Sequence, residues 1–140
     1  MKRLAFVSSI LTSLALLTAC GGGSDAPSPE EMTGTYAVSL SKSSDNCGVY
    51  PSYNGADHQV VVGTGGVTVS FNGQYLFGSV NGSGGFTATA SGNYGSANSL
   101  LTLTYSPSGG NTYSVTFTGK ATASNGASCS VTYNGTATKR

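Results

Sequence analysis

Charge is the scarcest property of this sequence: only 8% of its 140 residues are Asp, Glu, Lys or Arg, and the formal net charge is +1. Tryptophan is absent and there is a single histidine. So little positive charge excludes the basic surface that nucleic-acid binding requires. Good helix formers are also few, because Gly, Ser, Thr and Asn dominate the composition. Since 38% of the residues are hydrophobic, disorder is excluded as well, and the composition predicts one small domain of short strands and turns.

The first twenty residues have the layout of an export signal. Two basic residues precede a mostly apolar stretch at 4–17, which is too short and too polar for a transmembrane helix of ~20 residues. The stretch ends in Leu17-Thr18-Ala19-Cys20, which resembles the lipobox of bacterial lipoproteins. The resemblance implies cleavage before Cys20, attachment of lipid to Cys20 and anchoring in a bacterial membrane. An ordinary cleavage site beside a chance cysteine is the alternative.

Three segments follow from this interpretation. Residues 1–19 are expected to be a lipoprotein signal peptide, 20–32 the lipidated cysteine with a flexible Gly/Ser/Pro-rich tether, and 33–140 a single domain. Gly21 follows the cysteine where an Asp favours inner-membrane retention in the better-known lipoproteins, so the outer membrane is favoured. The mature chain is nearly neutral, with four basic and five acidic residues.

From residue 33 onward apolar side chains recur at alternate positions, the period of a half-buried β-strand. Asn-Gly pairs beginning at Asn72, Asn81 and Asn125 favour two-residue hairpin turns between these runs. Connections this short exclude parallel crossovers. We therefore predict an all-β fold, an eight-stranded antiparallel up-and-down β-barrel whose closure removes exposed sheet edges; a β-sandwich is the alternative. The predicted strands are residues 35–41, 58–63, 67–71, 74–80, 85–91, 99–105, 112–123 and 127–138.

The predicted barrel has a filled interior. Eight strands leave room for side chains or for one small ligand, and the inward positions of these short strands carry bulky residues. The side chains expected inside include Tyr36, Leu40, Phe71, Phe77, Phe86, Leu103, Tyr113 and Phe117.

A Gly-x-Tyr triplet that ends at Tyr36 opens the first strand where lipocalin-like barrels place Gly-x-Trp. On this pattern the region 33–140 is similar to lipocalin- and avidin-like small β-barrels. The resemblance implies that Lys139 or Arg140, at the end of the last strand, lies over the Tyr36 ring. Pairing Tyr36 with Arg140 would change the inward face of that strand, so a β-bulge is expected at Asn134-Gly135. No ligand is carried over, and the absence of Trp argues against the biotin pocket of avidins.

Two cysteines remain once Cys20 is assigned to lipid. Export places Cys47 and Cys129 in an oxidising compartment, where a pair usually forms a disulfide. The barrel topology supports the pairing, because the first loop and the start of the eighth strand lie at the same end of neighbouring strands. A redox pair or metal site has little support, since the sequence has no Cys-x-x-Cys motif.

Residues that carry catalysis are few. His58 is adjacent to Asp57 in sequence, but neighbouring strand residues point to opposite faces, so we expect a histidine that faces water, in a loop or at the start of a strand. Asp45 and Asp57 are the only acids of the domain that follow the first strand, and calcium binding with Asn46 and Asn54 lacks the Asp-x-Asp-x-Asp-Gly spacing. We expect no enzyme activity, no cofactor and no metal site.

Three tyrosines in predicted loops are candidates for a binding surface. Tyr50 and Tyr53 lie between Cys47 and Asp57, and Tyr94 lies in the predicted loop 92–98. Exposed tyrosines are common at recognition surfaces, although they can also fold back over the barrel mouth as a plug.

The tether enters at the barrel end that carries loops 63–66, 81–84 and 106–111, so the end with the three tyrosines is expected to face away from the membrane. These features favour a lipid-anchored, non-catalytic interaction module that binds an envelope or extracellular protein or glycan, for example as a hydrolase inhibitor. A lipocalin-like carrier of a small apolar ligand and a structural envelope protein are the alternatives.

Overall fold

The computed structural model describes residues 26–48, 53 and 55–140. Each strand pairs antiparallel with the next along the chain, and the last pairs with the first to close a barrel. The predicted all-β, eight-stranded antiparallel up-and-down β-barrel is confirmed, and the sandwich alternative is wrong. Cys20 and Tyr50 lie outside the described residues. The elements are α1 Pro29–Met32, β1 Gly34–Asp45, β2 His58–Gly63, β3 Gly66–Phe71, β4 Gln74–Val80, β5 Phe86–Tyr94, β6 Ala97–Gly109, β7 Thr112–Ala123 and β8 Ser128–Lys139.

The three Asn-Gly pairs form different turns. Asn72 and Gly73 both have positive φ, 48° and 74°, as the predicted two-residue hairpin turn requires. Asn81 instead begins a wider loop, in which its Oδ1 accepts hydrogen bonds from the backbone N–H groups of Ser83 and Gly85, both at 3.0 Å. Such side-chain bonding is the usual role of Asn in turns, and it separates β4 from β5 by more than two residues.

The inward residue of β4 differs from the prediction. Leu76 is completely buried, whereas Phe77 is 62% exposed on the outside of the barrel. The pattern of β4 is ambiguous because it carries apolar side chains on both faces. Pairing with β3 decides between them: Leu76 lies opposite Val69, whose side chain points inward, and Phe77 lies opposite Thr68.

Closure between β1 and β8 differs from the prediction in its register. Tyr36 lies opposite Lys139, not Arg140, so β8 keeps one inward face and needs no bulge at Asn134-Gly135. The irregularity lies instead in β1, where the register shifts between Lys42 and Ser44. The predicted bulge is therefore wrong in position.

The basic side chains at the end of β8 bind oxygen atoms. Lys139 Nζ donates to the backbone oxygen of Glu31 at 2.6 Å, and Arg140 donates to the Asp57 carboxylate at 2.7 Å. Tyr36 and Lys139 are neighbours, as predicted, but no cation–π contact between them is found among the described residues.

Glycine at position 135 lets β1 and β8 approach closely. A Cβ built at Gly135 would collide with the backbone oxygen of Ser39 and would lie 2.9 Å from the Cα of Leu40. Gly78 on β4 has the same role on the opposite side of the barrel, where a Cβ would meet the backbone of β5. Glycines at such bends let the sheet curve into a closed barrel.

Replacing Gly135 with Ala is expected to destabilise the domain by about 1–3 kcal/mol, because backbone must move to admit the methyl group. Gly92→Ala is the matched control, since a Cβ at Gly92 meets only the Ser99 hydroxyl at 3.6 Å. Urea unfolding of both variants checks the prediction. Equal urea midpoints for Gly135→Ala and Gly92→Ala would contradict the prediction, because they would show that β1 and β8 can move apart without loss of stability.

Candidate functional site

Aromatic rings fill the centre of the barrel. Tyr105 stacks on Phe86 with ring centroids 4.5 Å apart, and Tyr36 meets Tyr105 edge to face at 5.7 Å. All three side chains are completely buried. The Tyr36 hydroxyl donates to the backbone oxygen of Met32 at 2.7 Å, which satisfies its polar end. The rings thus occupy the space in which an eight-stranded barrel can hold a ligand.

His58, the first residue of β2, lies inside the barrel and is completely buried. Its ring stacks on Phe71 at 4.5 Å. Nδ1 lies 2.7 Å from the Tyr105 hydroxyl, and Nε2 lies 2.7 Å from the Tyr53 hydroxyl. The prediction of a water-facing histidine is therefore wrong. The sequence held a signal for this: His58 shares its face with Val60, whereas Gln59 lies on the other face.

The hydrogen bonds around His58 fix its tautomer. Tyr53 donates its only hydroxyl proton to the backbone oxygen of Ala56 at 3.0 Å, so it must accept from His58 Nε2–H. Nδ1 is then free to accept from the Tyr105 hydroxyl. The result is a directed chain of neutral hydrogen bonds from Tyr105 through His58 and Tyr53 to Ala56.

Burial keeps every member of this chain uncharged near neutral pH. It lowers the pKa of His58 to about 4, against the opposing effect of the negative charge of Asp57. It raises the pKa of Tyr53 to about 12, and Asp57 adds to this rise. The pKa of Tyr105 is also raised, again chiefly by burial. A general base must reach its substrate and titrate near the working pH; His58 does neither.

Tyr53 closes the barrel mouth from the loop that precedes β2. Its side chain is half-buried and packs against the core. The ring centroid lies 6.1 Å from that of His58 and 6.2 Å from that of Tyr133. The sequence predicts Tyr53 either at a recognition surface or folded back over the barrel mouth as a plug, and its position matches the plug. Its ring and hydroxyl are engaged by the barrel itself.

Tyr94 lies in a strand, not in the predicted loop. It is the last residue of β5 and pairs with Ala97, which leaves only Gly95 and Ser96 between β5 and β6. The reason is the length of β6, which continues its pairing with β7 beyond the predicted start. Tyr50 lies outside the described residues, so a shared surface of the three tyrosines stays a prediction.

The disulfide between Cys47 and Cys129 fastens the loop after β1 to the start of β8, with Cα atoms 4.9 Å apart. The predicted bond is present. Asn46 strengthens the same attachment, because its side-chain oxygen accepts from Ser130 N–H at 2.6 Å and its own N–H donates to the Ser130 oxygen at 3.1 Å. The loop between β1 and β2 is therefore attached to β8 by a covalent bond and by hydrogen bonds.

The acidic side chains near the mouth already have partners. Asp45 pairs with Lys42 at 2.8 Å and accepts from the N–H groups of Cys47 and Gly48. These contacts, the Lys42 bond first among them, hold the pKa of Asp45 below its usual range. Asn54 lies outside the described residues. Within the described segments no group of three or more His, Cys, Asp or Glu side chains is placed to hold a metal ion.

A short helix closes the opposite end of the barrel. The Ser28 hydroxyl accepts from the Glu31 N–H at 3.3 Å, and the Glu31 carboxylate accepts from the Ser28 N–H at 2.7 Å, which forms a capping box at the start of α1. Met32 at the end of α1 is completely buried beneath it. Beside the helix lie two open, overlapping clefts of about 250 and 620 Å³. Residues common to both clefts are Pro27, Glu31, Gly110, Asn111 and Tyr113.

No helix in the described part of the chain is long and apolar enough to cross a membrane. Comparison of the sequence with protein-family models and with curated proteins, and of the fold with solved structures, gives no match.

Proposed function

We propose that the chain is a bacterial envelope lipoprotein, anchored by lipid on Cys20, whose barrel is a rigid, non-catalytic interaction module. The anchor rests on the Leu17-Thr18-Ala19-Cys20 motif. Of the predicted tether 20–32, residues Pro29–Met32 form α1 and Met32 is buried in the barrel, so we propose the residues before α1 as the tether. The partner is an envelope or extracellular protein or glycan, and inhibition of a hydrolase is one form that the interaction takes. The outer membrane is the favoured location.

The observation that carries this proposal is the filled interior. Tyr36, Phe86 and Tyr105 occupy the centre with no exposed surface, and His58 uses both ring nitrogens within the barrel. A carrier of a small apolar ligand needs that space empty. Contacts with other molecules then fall to the outside of the barrel, where a module held by a membrane tether can present them.

The position of α1 supports an orientation for the module. Pro27 packs against Gly84, so the chain arrives at the end of the barrel that carries the β4–β5 and β6–β7 connections. We propose that this end faces the membrane and that the end with the Cys47–Cys129 disulfide faces away. Tyr50 and Tyr94 stay predicted contact residues of that distal end, whereas Tyr53 is occupied as the plug.

Lipidation is tested by mass and by location. The mature protein is expected to begin at Cys20 and to carry a diacylglyceryl group, so intact mass spectrometry of the membrane fraction should show that addition. Cys20→Ala should release the domain from the membrane or trap the precursor, because the two acyl chains of that group supply the binding energy at ~0.8 kcal/mol per buried CH₂. Cys47→Ala/Cys129→Ala, which leaves the motif intact, is the control and should stay membrane-bound. A soluble mature protein that starts elsewhere would contradict the proposal.

A further inference from the structure

Three large apolar side chains stand exposed together on the outside of the barrel. Val61 on β2, Tyr75 on β4 and Phe77 on β4 are 57%, 60% and 62% exposed. These side chains belong to outward positions of strands that are paired on both sides, so the fold presents them without covering them. Together with the outward residues between them, they are called the aromatic face below.

Strand register places these side chains in two adjacent rows with small polar residues between them. In the first row Val61 lies opposite Thr68, and Thr68 lies opposite Phe77. In the second row, on the same face, Tyr75 lies opposite Ser70, which lies opposite Gln59. The hydroxyls of Thr68 and Ser70 therefore lie directly beside the two aromatic rings, and the Gln59 amide lies one strand further away. The two rings stand two residues apart on β4, a spacing of about 7 Å.

The aromatic face belongs to an uncharged side of the barrel. No Asp, Glu, Lys or Arg occurs between Asp57 and Lys120, a stretch that includes all of β2 to β6. His58 in that stretch is buried and neutral near pH 7, since its pKa is lowered to about 4. The charged residues of the described part lie on α1, on β1, in the loop before β2, near the end of β7, and at Lys139 and Arg140 at the end of the chain described. A charged partner would find nothing complementary on this side.

We propose that the aromatic face binds an uncharged polysaccharide. Sugar rings have one apolar C–H face, which packs on aromatic rings, and a rim of neutral hydroxyls, which pair with amide and hydroxyl side chains. The aromatic face offers both groups at fixed spacing and no charge. This inference rests on the proposed interaction module and names its partner class and its surface.

The size of the aromatic face favours a narrow polymer over a second copy of this chain. A buried Tyr or Phe accounts for roughly 150–250 Å², so the three exposed apolar side chains present roughly 300 Å². A stable protein interface needs ~800 Å² from each partner. A single polysaccharide strand that runs along two rows of side chains needs far less. The strands are closed into a barrel and have no free edge, so the side chains, not the backbone, make the contacts.

The test uses the mature, lipidated protein in a polyoxyethylene detergent, which carries no sugar. Binding is measured on an array of immobilised neutral polysaccharides (β-glucans, α-glucans, mannans, galactans and chitin) with alginate and polygalacturonate as charged comparators. We expect binding to neutral polymers above the charged ones, and a loss of about tenfold or more in the Tyr75→Ser/Phe77→Ser variant. Leu100→Ser is the matched control, because Leu100 is an exposed apolar side chain on β6, which β5 separates from β4.

Each outcome decides the inference. Absence of binding to every neutral polymer overturns it. Retention of binding in Tyr75→Ser/Phe77→Ser, with loss in Tyr50→Ser/Tyr94→Ser, moves the site to the distal end and leaves the proposed interaction module standing. A concentration-dependent dimer that the Tyr75→Ser/Phe77→Ser variant abolishes makes the face a self-interface and also overturns the inference. Failure of Cys20 lipidation contradicts the proposed anchoring alone, because array binding is read from the barrel.

Discussion

Removal of the Cys47–Cys129 disulfide is expected to lower the free energy of unfolding by about 2–4 kcal/mol. The bond joins residues 82 positions apart and so restricts the unfolded chain over most of the barrel sequence. For a domain of this size the loss corresponds to a fall in melting temperature of roughly 10–20 °C. Thermal unfolding of Cys47→Ala/Cys129→Ala, followed by circular dichroism against the oxidised protein, measures it.

A second effect of the disulfide should be local. The Cys47–Cys129 bond, Asn46 and Asp45 hold the same loop, from which Tyr53 reaches His58. Hydrogen exchange at residues 53 and 55–57 should therefore rise in the cysteine variant more than exchange in β6 or β7. Treatment of the variant with a reductant is the control and should change nothing. An unaltered melting temperature would show that the hydrogen bonds at Asn46 suffice to constrain the loop.

Acidification from pH 6.5 to pH 4 is expected to cost the barrel about 3 kcal/mol of stability through His58 alone. In the unfolded chain this histidine takes up a proton near pH 6.5, whereas burial lowers its pKa in the barrel to about 4. The unfolded state thus binds more protons within this window. The stabilisation is complete above pH 6.5 and is lost as the pH falls towards the folded pKa.

The neighbours of His58 define the control for this measurement. Tyr53 and Tyr105 stay protonated throughout the window because their pKa values are raised, and Asp57 opposes the shift of His58. Asp45 has a pKa lowered from 3.8, so its contribution is lost only at the acid end. His58→Gln keeps a hydrogen-bond donor and an acceptor but has no group that titrates, and the control is read between pH 6.5 and 5. Urea unfolding should show a flat pH profile in that variant, and an unchanged slope would assign the titration to another group.

Protonation of His58 would also disturb the mouth of the barrel. A charged imidazole donates from both nitrogens, so Nδ1 could no longer accept from the Tyr105 hydroxyl. The loop that carries Tyr53 is joined to the same ring. Protonation of His58 is therefore expected to affect both Tyr53 at the barrel mouth and Tyr105 in the core.

The strand pattern, the closed barrel and the disulfide could be predicted because their signals are local or follow from topology. Alternating apolar residues define strands wherever one face is polar, as in Val67, Val69 and Phe71 on β3. Short Gly-rich connections force antiparallel neighbours, and eight such strands in series can close upon themselves. Cys47 and Cys129 then fall at one end of adjacent strands. The lipid anchor at Cys20 stays a prediction of the sequence.

The tertiary structure decided whatever depends on pairing across strands. β4 carries apolar side chains on both faces, so only its register with β3 placed Leu76 inside and left Phe77 on the surface. His58 is buried where the barrel brings its ring to Tyr105, 47 positions further along the chain, while Tyr53 reaches it from the preceding loop. The bulge lies in β1 because the register of Tyr36 with Lys139 left β8 regular. A sequence specifies the period of each strand, but the inward face of an ambiguous strand and the partners of a buried polar group are fixed only when the barrel closes.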